Sequence, residues 1–307
     1  MQIYKQTTSK DDKVKELQYF VLIGAAAGVI GMAPIEKASA ASFTQPGEQI
    51  GLATGSPVPE GLYFLDLLDY GNNRSAGTYD SGILVHIPAL VWSTPWTLAG
   101  ARVEFAATPP QIISSTSERG NKSNVAALSN PFAEIALAWD LGDGFGFTNY
   151  LGVYFPISNN GLNNDFWVFN ERAAVSYVAN GWNLSAYTAT GITGANSQGQ
   201  RVTPDYFNYD LTATKTLGKY IVGGGAFGSF DISGLTKSGY RRQSQFALAV
   251  LGGYNFASFT TMLYVSHDIV SANYTTDTGK ELYETRVFAR LIVPIWTPKS
   301  AVVTAKY

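Results

Sequence analysis

The chain has 307 residues, of which 14% are charged and 13% aromatic, with a formal net charge of −2, 31 glycines and no cysteine. The near-neutral balance gives no reason to expect a nucleic-acid partner, and the missing cysteine excludes thiol catalysis and thiolate metal sites. Charge is scarcer than in an ordinary soluble domain, and no run after residue 40 approaches the ~20 apolar residues of a membrane helix, so the chain reads as strongly β or as β within a membrane.

Lys5, Lys10, Lys13 and Lys15 precede an apolar run from Tyr19 to Met32, and Ala38-Ser39-Ala40 follows. This is the layout of a secretory signal over residues 1–40. The run is too short to cross a bilayer comfortably as an anchor. Residues 41–60 are rich in Gly, Pro and Ser and read as a flexible periplasmic lead-in.

From residue 61 to 296, stretches of about ten residues alternate apolar and polar side chains. They predict strands at 61–70, 81–93, 96–108, 131–141, 145–157, 166–179, 182–193, 205–217, 219–233, 241–256, 259–271 and 281–296. Five connections are tight: Ser93–Pro95, Gly142–Gly144, Asn180-Gly181, Gly218 and Ala257-Ser258. Asn-Gly is the strongest hairpin signal among them. The six others are longer and alternate with the tight ones. An even number of strands with short turns at one end and long loops at the other predicts an all-β, transmembrane, antiparallel up-and-down barrel of about 12 strands in a bacterial outer membrane. Residues 297–307 form a C-terminal tail or extend the last strand.

Facing follows from the period of two. Phe207, Tyr209, Leu211 and Ala213 oppose Asn208, Asp210, Thr212 and Thr214. Val287, Ala289, Leu291 and Val293 oppose Glu284, Arg286 and Arg290. A charge facing lipid at mid-membrane costs roughly 2–4 kcal/mol, so mid-strand charges are expected in the lumen. In 166–179, Glu171 and Arg172 are consecutive, and one of them has to point outward or lie near an interface. Aromatics near strand ends, among them Trp92, Trp96, Trp139, Tyr150, Trp167, Trp182, Tyr206, Tyr220, Tyr254 and Trp296, suit interfacial girdles.

The candidate lumen and selectivity residues are His86, Arg102, Glu104, Glu134, Asp210, Glu284, Arg286 and Arg290. Opposite charges in a bore either brace the wall or select the solute. His86 faces the lumen if Ile83, Val85 and Ile87 face lipid. Neither His86 nor His267 sits in a ligand-spaced cluster, so no metal or cofactor is expected. Gly223-Gly224-Gly225 lets a strand bend or lets bulky lumen groups approach. Pro88 and Pro294 each remove a ladder hydrogen bond on strands that flank strand 61–70 in a closed barrel. They mark a candidate lateral seam. Loop 109–130 is long enough to expect a constriction or an outer lid.

Pro59-Glu60-Gly61-Leu62-Tyr63, Asn130-Pro131-Phe132, Gly152-Val153-Tyr154-Phe155-Pro156 and Tyr209-Asp210-Leu211-Thr212 with Thr216-Leu217-Gly218 resemble the outer-membrane proteins of the meta-pathway phenol-degradation family. The resemblance runs through most of residues 57–296. It implies a barrel linked to uptake of aromatic or other hydrophobic compounds, and it carries over no catalytic residues. The expected function is a channel for small apolar or aromatic solutes, with outer-membrane lipid or lipopolysaccharide as its surroundings. A non-conducting structural or binding barrel is one alternative. An outer-membrane lipid hydrolase is another, and it requires a Ser-His constellation.

Overall fold

The computed structural model describes residues 42–75, 79–118, 121–157, 165–235, 239–256, 258–275 and 281–298. The expected signal at 1–40 lies outside the described residues, as does the tail from 299 onward and Ala257 of one tight turn. The described strands are β1 (Gly61–Ser75), β2 (Tyr79–Leu98), β3 (Ala101–Thr108), β4 (Gln111–Glu118), β5 (Asn121–Leu128), β6 (Phe132–Gly142), β7 (Phe145–Tyr154), β8 (Val168–Ala179), β9 (Trp182–Thr193), β10 (Tyr206–Leu217), β11 (Tyr220–Asp231), β12 (Ser244–Asn255), β13 (Thr260–Ala272) and β14 (Thr285–Trp296).

Every pairing is antiparallel. β1 pairs with β14 on one edge and β2 on the other, which closes the sheet into a barrel of twelve strands. The remaining two, β4 and β5, continue the wall upward. β2 pairs with β3 through Leu90–Leu98 and with β4 through Tyr79–His86, and β5 then pairs with β4. Most of the expected loop 109–130 is therefore a hairpin in register with the barrel wall. Ile112-Ile113, Thr116 and Val125 suit strand, and Pro109-Pro110 interrupts it only locally.

The short turns gather at one end. Asn180 and Gly181 have φ of 51° and 75°, as a two-residue type I′ hairpin requires. The first tight turn is not at Ser93–Pro95 but at Ala99-Gly100, with φ of 50° and 81°. β2 runs through Pro95 by a bulge between Ser93 and Thr97. There Thr94 Oγ1 donates to Val103 O at 2.7 Å and accepts the Trp96 N–H at 3.1 Å, which satisfies the local backbone without a reversal.

The two faces invert the rule of soluble proteins. On β10, Asn208, Asp210, Thr212 and Thr214 are buried, whereas Leu211 is 45% exposed. Val250, Leu263 and Leu248 are likewise exposed outward. An apolar outside and a polar inside is the signature of an outer-membrane barrel. Aromatic pairs ring both ends of this belt: Trp92–Trp96, Trp139–Phe147 and Tyr220–Tyr254 at the short-turn end, and Phe155–Trp167 and Phe207–Phe230 at the other. Tyr206, expected in a girdle, is instead fully buried inside, and Tyr150 also points inward to the segment that fills the bore.

That segment is the largest departure from the sequence reading. Residues 42–60 are not a flexible lead-in. They run down through the bore and turn into β1, with Ile50 fully buried in a cluster with Leu67, Phe227, Leu251, Tyr264 and Phe288. Gly47 and Gly51 have φ of 82° and 91°, and hydrogen bonds from Glu48 N–H to Gln45 O and from Ile50 N–H to Gly47 O make successive tight turns. Pro46-Gly47 occupies the central positions of a type II turn, where proline and then a positive-φ residue are wanted.

Candidate functional site

The inner wall has two unlike halves. Strands β7–β14 carry many polar side chains inside, beside the apolar cluster around Ile50, and these satisfy much of the backbone of residues 44–55. Thr44 donates its N–H to Tyr206 Oη at 3.2 Å, and its carbonyl accepts Asn208 Nδ2 at 2.8 Å. Asp210 accepts the N–H groups of Gly47 and Gln49 at 3.1 and 2.9 Å. Thr212 accepts from Gly51 N–H at 3.0 Å, and Ser176 from Gly55 N–H at 2.8 Å. Tyr264 Oη donates to Gly47 O at 2.9 Å, and Arg290 donates to the carbonyls of Ile50 and Glu48. Close to the short-turn end, Val58 N–H reaches Glu104 at 2.8 Å, and Ser93 Oγ donates to Val58 O at 2.7 Å. A buried backbone without secondary-structure partners needs such side-chain partners at every step.

Glycines set the distance between segment and wall. A Cβ on Gly146 would stand 2.5 Å from Gly55 O, and one on Gly225 would stand 2.5 Å from Ile50 Cδ1. The glycine run of β11 thus admits a bulky lumen group, as its composition suggested.

Part of the charge in the bore is ion-paired. Arg172, nearly fully buried, lies 3.5 Å from Glu48 and 3.4 Å from Glu134 and stacks on Phe132 at 4.3 Å. Arg286 joins Asp69 at 2.6 Å and Glu284 at 2.7 Å. Arg102 donates to Thr94 O at 2.9 Å. Arg102, Glu104, Glu134, Asp210, Glu284, Arg286 and Arg290 all face inward, as alternation required.

His86 does not. It is opposite Leu68 across the β1–β2 ladder, and Leu67, Asp69 and Val85 are the buried neighbours. Ile83, Val85 and Ile87 therefore line the lumen, and His86 faces out, 2.7 Å from Asp66 and 3.4 Å from Gln111. The assumption that failed is that an apolar side must be the lipid side. Glu171 is a second outward acid. It accepts Asn149 Nδ2 at 2.7 Å, while its neighbour Arg172 takes the inward position. Outward charges in this belt are thus paired with polar groups rather than absent. His267, on the rim, hydrogen-bonds Thr285 at 2.8 Å. Among the described residues, no serine hydroxyl is hydrogen-bonded to either histidine.

Between the lumen segment and the other half of the wall lies a cavity of about 570 Å³. Leu65, Leu67, Ile83, Val85, Ile87, Ala89 and Val91 of β1 and β2, Ala106 of β3, Ile112 of β4 and Ala136 of β6 give it an apolar wall. Its polar boundary is the segment itself with Glu134, Tyr154 and Arg172. The sequence carries the signal. Phe64-Leu65-Asp66-Leu67-Leu68 and Ile83-Leu84-Val85 do not alternate as β10 does, and a strand apolar on both faces contributes an apolar lumen.

The prolines do not open β1. That strand is paired on both edges from Leu62 to Asn72, with Pro88 in register opposite Asp66 and Pro294 beside a single register shift at Leu62/Tyr63.

A model of the family described as "Putative MetA-pathway of phenol degradation" matches residues 66–279. No curated protein matches the chain. Among solved structures, it is similar to the translocator domain of the autotransporter NalP from Neisseria meningitidis, at 11% identity and a TM-score of 0.45 over 78% of this chain and 90% of that one. It is also similar to the NanC porin, at 10% identity and 0.42 over 72% and 98%. A third is a ΔS2 mutant of TodX, a monoaromatic hydrocarbon channel, at 11% identity and 0.43 over 78% and 92%.

Proposed function

The chain belongs to this phenol-degradation family, and from that premise we propose that it is an outer-membrane channel through which small apolar, in particular aromatic, solutes pass down their gradient. The observation that carries the reading is the apolar wall of the 570 Å³ cavity inside the bore. A single aromatic ring that hides about 120 Å² of its surface there gains about 3 kcal/mol over water. That concentrates the solute roughly a hundredfold and still lets it leave, which is the balance a conducting site needs. Sugars and ions gain nothing on such a wall.

In this reading the leader at 1–40 is removed on export, and lipid and lipopolysaccharide surround the belt. The lumen segment favours one competing reading, a binding barrel that does not conduct. Accumulation of 1-naphthol in cells stripped of their other outer-membrane channels separates the two. Expression of the chain should raise naphthol entry and leave glucose entry unchanged. Equal entry with and without the chain would contradict the channel.

A further inference from the structure

The wall has a breach, and it is not where the single prolines of β1's neighbours suggested. β2 keeps one register against β3 and β4, Leu90 facing Ala107 and His86 facing Gln111, yet the ladder is interrupted between them. The unpaired stretch sets Ile87, Pro88 and Ala89 against Thr108, Pro109 and Pro110. Three of these six residues lack an N–H, so the ladder cannot be completed across it. The far edge of the same stretch is loosened too. β3 pairs with β6 only up to Thr108, and β4 with β5 only from Gln111, with one hydrogen bond, Ser129 N–H to Pro110 O at 2.7 Å, between them.

The breach joins two apolar surroundings. Inside, the cavity reaches it, with Ile87 and Ala89 on one lip and Thr108 and Pro110 on the other. Outside, Leu90 and Ile113 stand above and below it, each 49% exposed. A polar foothold lies on each side. Thr108 Oγ1 is buried at the inner lip without a hydrogen-bond partner. His86 and Gln111, held with Asp66, form the outer rung next to the gap.

We propose that an apolar solute bearing one hydroxyl leaves the cavity sideways between β2 and the β3–β4 junction, directly into the membrane. This rests on the channel reading and adds the route. An apolar molecule taking this path is never returned to water, whereas an exit through the short-turn end gives back the free energy gained in the cavity.

The chain has no cysteine, so a bridge can be placed cleanly. Ile87→Cys/Pro110→Cys spans the breach, and Val175→Cys/Ala186→Cys spans an intact rung of β8–β9. Each variant is compared with itself, oxidised and reduced, for entry of 1-naphthol into cells lacking other channels. Oxidation across the breach should lower entry at least tenfold and reduction should restore it, while the β8–β9 bridge changes nothing. Entry that is the same with the breach bridge formed overturns the lateral route and leaves the channel standing. A wild-type chain that passes no naphthol defeats the channel itself. Independently of any cysteine variant, photolabelling of the wild type with 4-hydroxybenzophenone should mark residues 86–90 and 107–113. Labels confined to the short-turn rim would also overturn the route.

Discussion

Asp210 on β10 accepts the backbone N–H of Gln49 at 2.9 Å, so a wall carboxylate holds the lumen segment by its main chain rather than by a side chain. The same carboxylate takes Gly47 N–H. Asp210→Ala leaves two buried N–H groups without their acceptor, at about 1–3 kcal/mol. The expected outcome is a looser segment and a larger single-channel conductance in planar bilayers. Asp210→Asn keeps an acceptor oxygen and should change conductance less.

Arg172 is the centre of the bore's charge. With its guanidinium gone, Glu48 and Glu134 are left buried without their cation, and breaking a buried pair by removing one partner costs about 3–5 kcal/mol. Arg172→Met should lower stability by an amount of that order in denaturant unfolding followed by tryptophan fluorescence. Adding Glu134→Gln should recover much of the loss, because one stranded charge goes with it. A double variant no better than the single one would show that Arg172 acts by packing on Phe132 instead.

The barrel was legible because its outer face obeys one rule over most of the wall. Most of the stretches alternate, and most of the connections fall where Gly, Asn and Ser accumulate. The turn at Ala99-Gly100 was hidden because a Thr-Pro pair mimics a reversal and only the Thr94 hydrogen bonds show that the strand continues. The lumen charges followed from alternation alone. His86 did not, since β2 is apolar on both sides and hydrophobicity cannot then say which side is out. The filling of the bore was least visible. Residues 42–60 have the composition of a linker, and what orders most of them is a set of side chains on β8–β14 more than a hundred positions away. Pro46-Gly47 and the buried Ile50 were the local hints.

Gly146 and Gly55 touch backbone to backbone. A valine at 146 places its Cβ 2.5 Å from Gly55 O and 2.8 Å from Ser56 Cα. Gly146→Val should push residues 54–56 off the wall and break the Gly55–Ser176 hydrogen bond, at about 1–3 kcal/mol. Gly252→Ala, where nothing stands within 4 Å, is the matched control and should be neutral. Limited proteolysis of the segment reads both.

Asp205, just before β10, clasps the outer loop 194–204. It accepts Thr193 N–H and pairs with Arg201 Nη1, each at 2.7 Å. Burial pushes its pKa up, but the Thr193 N–H and the Arg201 guanidinium outweigh it, and the carboxyl rests below its ordinary 3.8. A depressed folded pKa gives stabilisation that is present above the unfolded value and lost as pH falls through the folded one. Protection from hydrogen exchange in 194–204, taken against the intrinsic rate at each pH, should therefore be high at pH 6 and fall below about pH 4. In Asp205→Asn it should be low at both.

Ala136 lies on the apolar wall and is buried there. The entry rate of 1-naphthol through Ala136→Trp, set against wild type in the same channel-free cells, asks directly whether solute passes through the cavity. With a tryptophan filling the space, entry should drop at least tenfold while Ala136→Ser stays near wild type. Wild-type entry through a folded, correctly inserted Ala136→Trp barrel would contradict passage by this route.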